Sequence, residues 1–137
     1  MDHLIHPLIL FIYLLPCAIQ DWRDNRVTNW LTIPAFAVAW IIAIVFNNLP
    51  LAALVCLGCY AAWSCGWMGA ADGKLATLLA ALSPPTLFIS TILLALTFLY
   101  LRARGQTDLH VPAVVWFCAG SGLYTLFVLA RILLQPM

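Results

Sequence analysis

The 137-residue chain contains no glutamate, so its carboxylates are the five aspartates Asp2, Asp21, Asp24, Asp72 and Asp108. Two of them stand apart. Asp21 directly follows the apolar run Leu4–Gln20, and Asp72 opens a shorter apolar run that ends at Leu82. Ionisable groups at the edge of a membrane span are costly, and they are usually paired or functional. Two carboxylates at one depth on two helices of a bundle can meet. Adjacent anions repel strongly at low dielectric, so such a pair is expected to share one proton. The ionised member can then take a proton from water while the protonated member polarises a peptide carbonyl. That chemistry hydrolyses an amide with no metal, cofactor or covalent intermediate. Plainer readings of the same residues are a surface pair of Asp21 with Arg23, an N-cap at Asp72, or a proton relay in a small transporter. Asp2 near the start, Asp24, and Asp108 in the polar turn Arg102–His110 are expected to be solvated.

The remaining candidates are weaker. Cys56-Leu-Gly-Cys59 has the spacing of half a zinc site, but such a site needs about four ligands and no second pair exists. In a helix the two thiols are i, i+3 neighbours, which suits packing as small apolar side chains. Lys74 lies two positions from Asp72 and so does not share its helical face; it is a secondary candidate for meeting a peptide. His3, His6 and His110 are expected at the membrane interface.

These residues need elements to hold them, and composition says which. Hydrophobic residues make up 65% of the chain and charged ones 8%, with a mean hydropathy of +1.03. Soluble domains carry roughly 25% charged residues, so an integral membrane protein is expected: all-α, a single domain over 1–137. A net charge of +1 leaves no electrostatic footprint for nucleic acid. The apolar runs predict six spans, over Leu4–Gln20, Leu31–Phe46, Leu51–Trp67, Asp72–Leu82, Thr86–Leu101 and Val111–Leu134, with Ser83-Pro84-Pro85 dividing the fourth from the fifth. Six spans put Arg23, Arg26, Lys74, Arg102 and Arg104 on one side, expected to be the cytoplasm, with both termini outside. Trp22, Trp30, Trp67 and Tyr100 fall at the same boundary, where amphipathic rings prefer to sit.

Two stretches carry a family resemblance. Asp21-Trp-Arg-Asp-Asn-Arg-Val-Thr-Asn29-Trp-Leu31-Thr32 resembles the Asp-x-Arg-x-x-x-Ile-Pro-Asn-x-Leu-Thr motif of type IV prepilin peptidases. Gly69-Ala-Ala-Asp72-Gly-Lys74-Leu75 resembles that family's Gly-x-Gly-Asp-x-Lys-Leu motif. His110-Val111-Pro112 is similar to the family's entry into its last span. The resemblance implies a six-helix membrane aspartyl protease with Asp21 and Asp72 as the catalytic pair and Gly69, Lys74 and Asn29 in binding or supporting positions. It also implies the short form, as in tight-adherence pilus systems, without the zinc-binding cytoplasmic region of long members. The chain departs from the motifs at Thr28, where the family has proline, and at Ala71, where it has glycine. The implied substrate is a prepilin or pseudopilin, with a basic leader in the cytoplasm and an apolar helix in the bilayer of a bacterial inner membrane. A transporter or relay using the same two aspartates, or an inactive scaffold of a secretion complex, are the other readings.

Overall fold

The computed structural model describes residues 2–24, 26–105 and 112–134. Among these residues the chain forms six helices: α1 (Asp2–Asp24), α2 (Asn29–Val45), α3 (Leu49–Ser64), α4 (Ala70–Leu82), α5 (Pro84–Ala103) and α6 (Ala113–Leu134). The all-α class and the break at Ser83 match the sequence reading. Asp108, His110 and Val111 lie outside the described residues.

Most boundaries are corrected by one to three residues, with α3 ending at Ser64 instead of Trp67 and α5 starting at Pro84 instead of Thr86, and the end of the first helix moves furthest. The first helix was expected to end at Gln20, yet it runs a full turn further, so Arg23 and Asp24 lie in its last turn and not in a loop. The end of an apolar run marks a change of solvent, and polar residues can continue the hydrogen-bonded helix at a cost below about 1 kcal/mol each. The true stops carry specific backbone chemistry. After α2, Asn47 takes a left-handed φ of 56°, and the next N–H, of Asn48, reaches back to the Ala43 carbonyl at 2.8 Å. After α3, Gly66 does the same at φ 74°, with the Trp67 N–H on the Ala62 carbonyl at 2.9 Å. Both are paired-bond C-caps that satisfy otherwise orphaned carbonyls.

Three helices, α1, α5 and α6, are long and apolar enough to cross a membrane. At 1.5 Å per residue α2 and α3 reach roughly 25 Å and α4 roughly 20 Å, less than the ~30 Å of hydrocarbon. The packing is inverted relative to a soluble protein. Small residues face inward: α2 buries Thr32, Ala35, Ala39 and Ala43. Large ones such as Ile9, Ile12 and Ile41 face outward. Close helix approach over small residues is how bundles pack where lipid removes the hydrophobic drive between helices. α4 lies at the centre and buries every residue from Leu75 to Ala81.

The helices fall into two groups. α6 packs along α1 and against α5, while α4 packs against α2 and α3; the groups join where α4 touches α5, α6 and α1. At one end of the bundle the Asn48 amide donates to the Ala81 carbonyl at 3.0 Å. His6 also packs edge-on against Phe46 there, with ring centroids 5.0 Å apart. The opposite end gathers the ends of α1, α3 and α5 and the starts of α2, α4 and α6, and with them five of the six basic residues; Arg131, in the last turn of α6, is the exception.

Candidate active site

The inward face of α1 recurs at alternating steps of three and four, through Pro7, Leu10, Leu14 and Cys17 to Asp21. Asp21 therefore continues a core stripe by one more turn, and it is buried, with 7% of its surface exposed. Asp24, three residues on, is exposed. The α6 backbone reaches the Asp21 carboxylate: the N–H of Val114, second residue of that helix, donates to Oδ2 at 3.3 Å. The first-turn N–H groups of a helix lack intrahelical acceptors and carry its positive end, so they favour a carboxylate.

Asp72 is placed by a similar device. It is the third residue of α4 and half-buried, and its Oδ2 accepts the N–H of Gly69 at 3.2 Å. The plainer reading of Asp72 as the N-cap is thereby revised, because the N-cap position belongs to Gly69. Gly69 matters sterically. A Cβ there would lie 3.0 Å from Asp72 Oδ2, so its absence lets the backbone approach the carboxylate. Ala71 sits inside the first helical turn, where no unusual φ is required. The motif departure at this position costs the backbone nothing.

Asp21 and Asp72 line one cavity of about 920 Å³ at the basic end of the bundle. Its walls come from both helix groups: the α3–α4 turn with Gly66 and Met68, the α5 face with Leu94 and Phe98, and Ala113 at the head of α6. Two carboxylates facing a common space with room for water supply the groups that water-activating amide hydrolysis needs.

The other residues singled out from sequence are brought together elsewhere. Lys74 Nζ donates to Asn29 Oδ1 at 3.1 Å, tying the second turn of α4 to the first residue of α2. Lys74 also borders a separate, smaller cavity of about 220 Å³, with Cys56, Cys59 and Gly73. The two thiols are half-buried on its wall, beside Phe36, Tyr60 and Trp63, in keeping with their expected role as small apolar packing groups. Thr28, the other motif departure, is positively used. Its N–H donates to Gln20 Oε1 at 3.0 Å and its hydroxyl to the same oxygen at 3.3 Å. A proline could supply neither donor. The turn is further tied by the Tyr13 hydroxyl, which donates to the Leu31 carbonyl. Sequence reasoning missed the Val114 N–H and Gln20, since a backbone donor 93 residues away leaves no mark in composition.

A sequence profile of the type IV leader peptidase family matches residues 8–103, most of the chain. The chain belongs to that family. Both aspartates lie within the matched segment, whereas α6, which supplies the N–H to Asp21, lies beyond it. Membership makes the protein a peptidase of the leader-peptidase type, a hydrolase, and its apolar helices make it a membrane protein. No curated protein and no solved structure matches the chain.

Proposed function

We propose that this family member is a membrane-embedded aspartyl endopeptidase that removes the leader of a prepilin or pseudopilin at the cytoplasmic face of a bacterial inner membrane. Asp21 and Asp72 are its catalytic pair. The observation that carries this reading is the shared cavity: carboxylates from the two motif-bearing segments line one space at the end of the bundle that holds most of the positive charge. In this reading all six helices cross or enter the bilayer, with the short central α4 enclosed by the others. Both termini lie outside.

One carboxylate of the pair accepts a proton from water as the water attacks the scissile carbonyl. The other, protonated, donates to the carbonyl oxygen and stabilises the charge that develops there. The proton gained by the first is passed to the departing amine, so the pair ends as it began. Gly69, by leaving space beside Asp72, keeps that carboxylate reachable by the peptide.

The test is cleavage of a purified prepilin by the protein in lipid. Asp21→Asn and Asp72→Asn should each abolish cleavage while the protein still inserts and folds, since asparagine keeps the size but cannot take the proton. The double variant should be no worse than either single one, because groups acting as one unit are not additive. Full activity in either single variant, or loss of activity on chelation, would remove this mechanism.

A further inference from the structure

The cavity is much larger than two carboxylates and a water molecule need, since one water occupies only about 30 Å³. Part of the surplus runs along α5. Along α5 the lining residues are Thr91, Leu94, Ala95, Phe98 and Leu99, a stripe at i, i+3, i+4, i+7 and i+8. From Phe98 to Thr91 the helix rises about 10 Å, so the open space continues roughly two helical turns away from the carboxylates, into the apolar body of the bundle.

This face of α5 has no helix packed on it. α5 leans on α6 and more lightly on α4, and it makes no extended contact with α3. Only 11% of its most apolar stretch is buried, against 33% for α1 and for α6. The opposite wall is the last turn of α3 and the turn after it, with Ala62, Gly66 and Trp67. The gap between α3 and α5 therefore opens the aspartate cavity sideways.

The lining chemistry selects the occupant. No charged side chain lies on the α5 stripe, and the one hydroxyl, of Thr91, donates to the Leu87 carbonyl at 2.8 Å. Thr91 thus presents its methyl group. Ala95 in the stripe and Ala62 across the gap are small, which permits close approach of another helix backbone. A water-soluble peptide would have no use for such a wall. An apolar helix lying in the bilayer would, and the end of the groove delivers the chain to the carboxylates.

We infer that the substrate's apolar helix enters between α3 and α5 and lies along the Thr91, Leu94, Ala95 and Phe98 face, with its leader-proximal end at Asp21 and Asp72. The inference rests on the peptidase reading above and adds the route and the specificity surface. Ala95 and Phe98 are then positioning residues for the substrate helix.

The experiment places a photoreactive benzoylphenylalanine at Ala95 or Phe98, or at Ile92 or Leu96 on the outer face of α5, in the full-length Asp72→Asn protein in nanodiscs. The probe is a synthetic peptide with a basic leader, a glycine and an apolar helix of about 20 residues. Cross-links to the peptide should be several-fold stronger from positions 95 and 98 than from 92 and 96, and unlabelled peptide should compete them away. In the otherwise unaltered protein Ala95→Trp should raise KM for this peptide several-fold with little change in kcat, while Leu96→Trp should leave both unchanged. Equal labelling from the two faces, labelling confined to 92 and 96, or lipid adducts alone would overturn the route. If the unaltered protein cleaves the peptide and the aspartate variants do not, such a pattern removes only the route. If the unaltered protein cleaves nothing, the peptidase reading falls with it.

Discussion

On α1 two aspartates sit one turn apart, and their surroundings separate them. Asp21 is buried and held by the α6 backbone, whereas Asp24 is exposed at the helix end. Asp24→Asn should therefore keep most of the cleavage that Asp21→Asn abolishes, as read by the same prepilin assay. Gly69 offers a subtler probe. Its φ of −75° is open to alanine, so Gly69→Ala strains no backbone, but the new Cβ would press on Asp72 Oδ2 from 3.0 Å. A misplacement of about 1 Å can cost about a hundredfold, so the smaller shift forced here should cost roughly tenfold in kcat with unchanged thermal stability. At this scale the sequence was most informative. Carboxylates are so few in this chain that motif and depth single out two. The meeting of Lys74 with Asn29 was not legible, because it joins residues from separate motifs whose individual signals say nothing of distance.

Helices were legible as apolar runs, and their number follows from breakers such as Ser83-Pro84-Pro85. Their ends were less so, because caps depend on single residues such as Asn47 and Gly66 and not on hydropathy. The head of α6 is the element with the sharpest consequence for chemistry. Val114→Pro removes the N–H that Asp21 accepts, yet proline is tolerated in the first turn of a helix, where that N–H has no intrahelical role. Loss of a hydrogen bond to a carboxylate costs about 1.5–3 kcal/mol. Turnover should fall about ten- to a hundredfold, since each 1.36 kcal/mol is a factor of ten. Val114→Ala keeps the donor and trims only buried bulk, so it should lower thermal stability more than turnover. The reverse ranking of these two variants in kcat would dissociate α6 from the reaction.

The whole molecule is polarised: Arg23, Arg26, Lys74, Arg102 and Arg104 gather at the end that holds the aspartate cavity. Positive charge resists translocation, so this end should face the cytoplasm. In a background without the native cysteines, a cysteine at Leu49 should react with an impermeant maleimide from the periplasmic side. One at Arg104 should react only after the membrane is opened. Labelling of both from one side would refute the six-span arrangement. Sequence alone supports that arrangement through charge alternation, but it could not reveal the division into an α1–α6–α5 group and an α2–α3–α4 group. That division arises from contacts between chain ends.

It also sets an order in time. α1 leaves the ribosome well before its principal neighbour α6, which begins to follow 93 residues beyond Asp21 when counted to Val114. At 5–20 residues per second, α1 waits roughly 5–20 s for that partner, with its inward stripe of Leu10, Leu14 and Cys17 turned toward lipid or the insertion machinery. A nascent chain paused before α6 would hold both aspartates but lack the donor that Asp21 accepts. The site is thus completed only once the head of α6 has been made and has docked on α1.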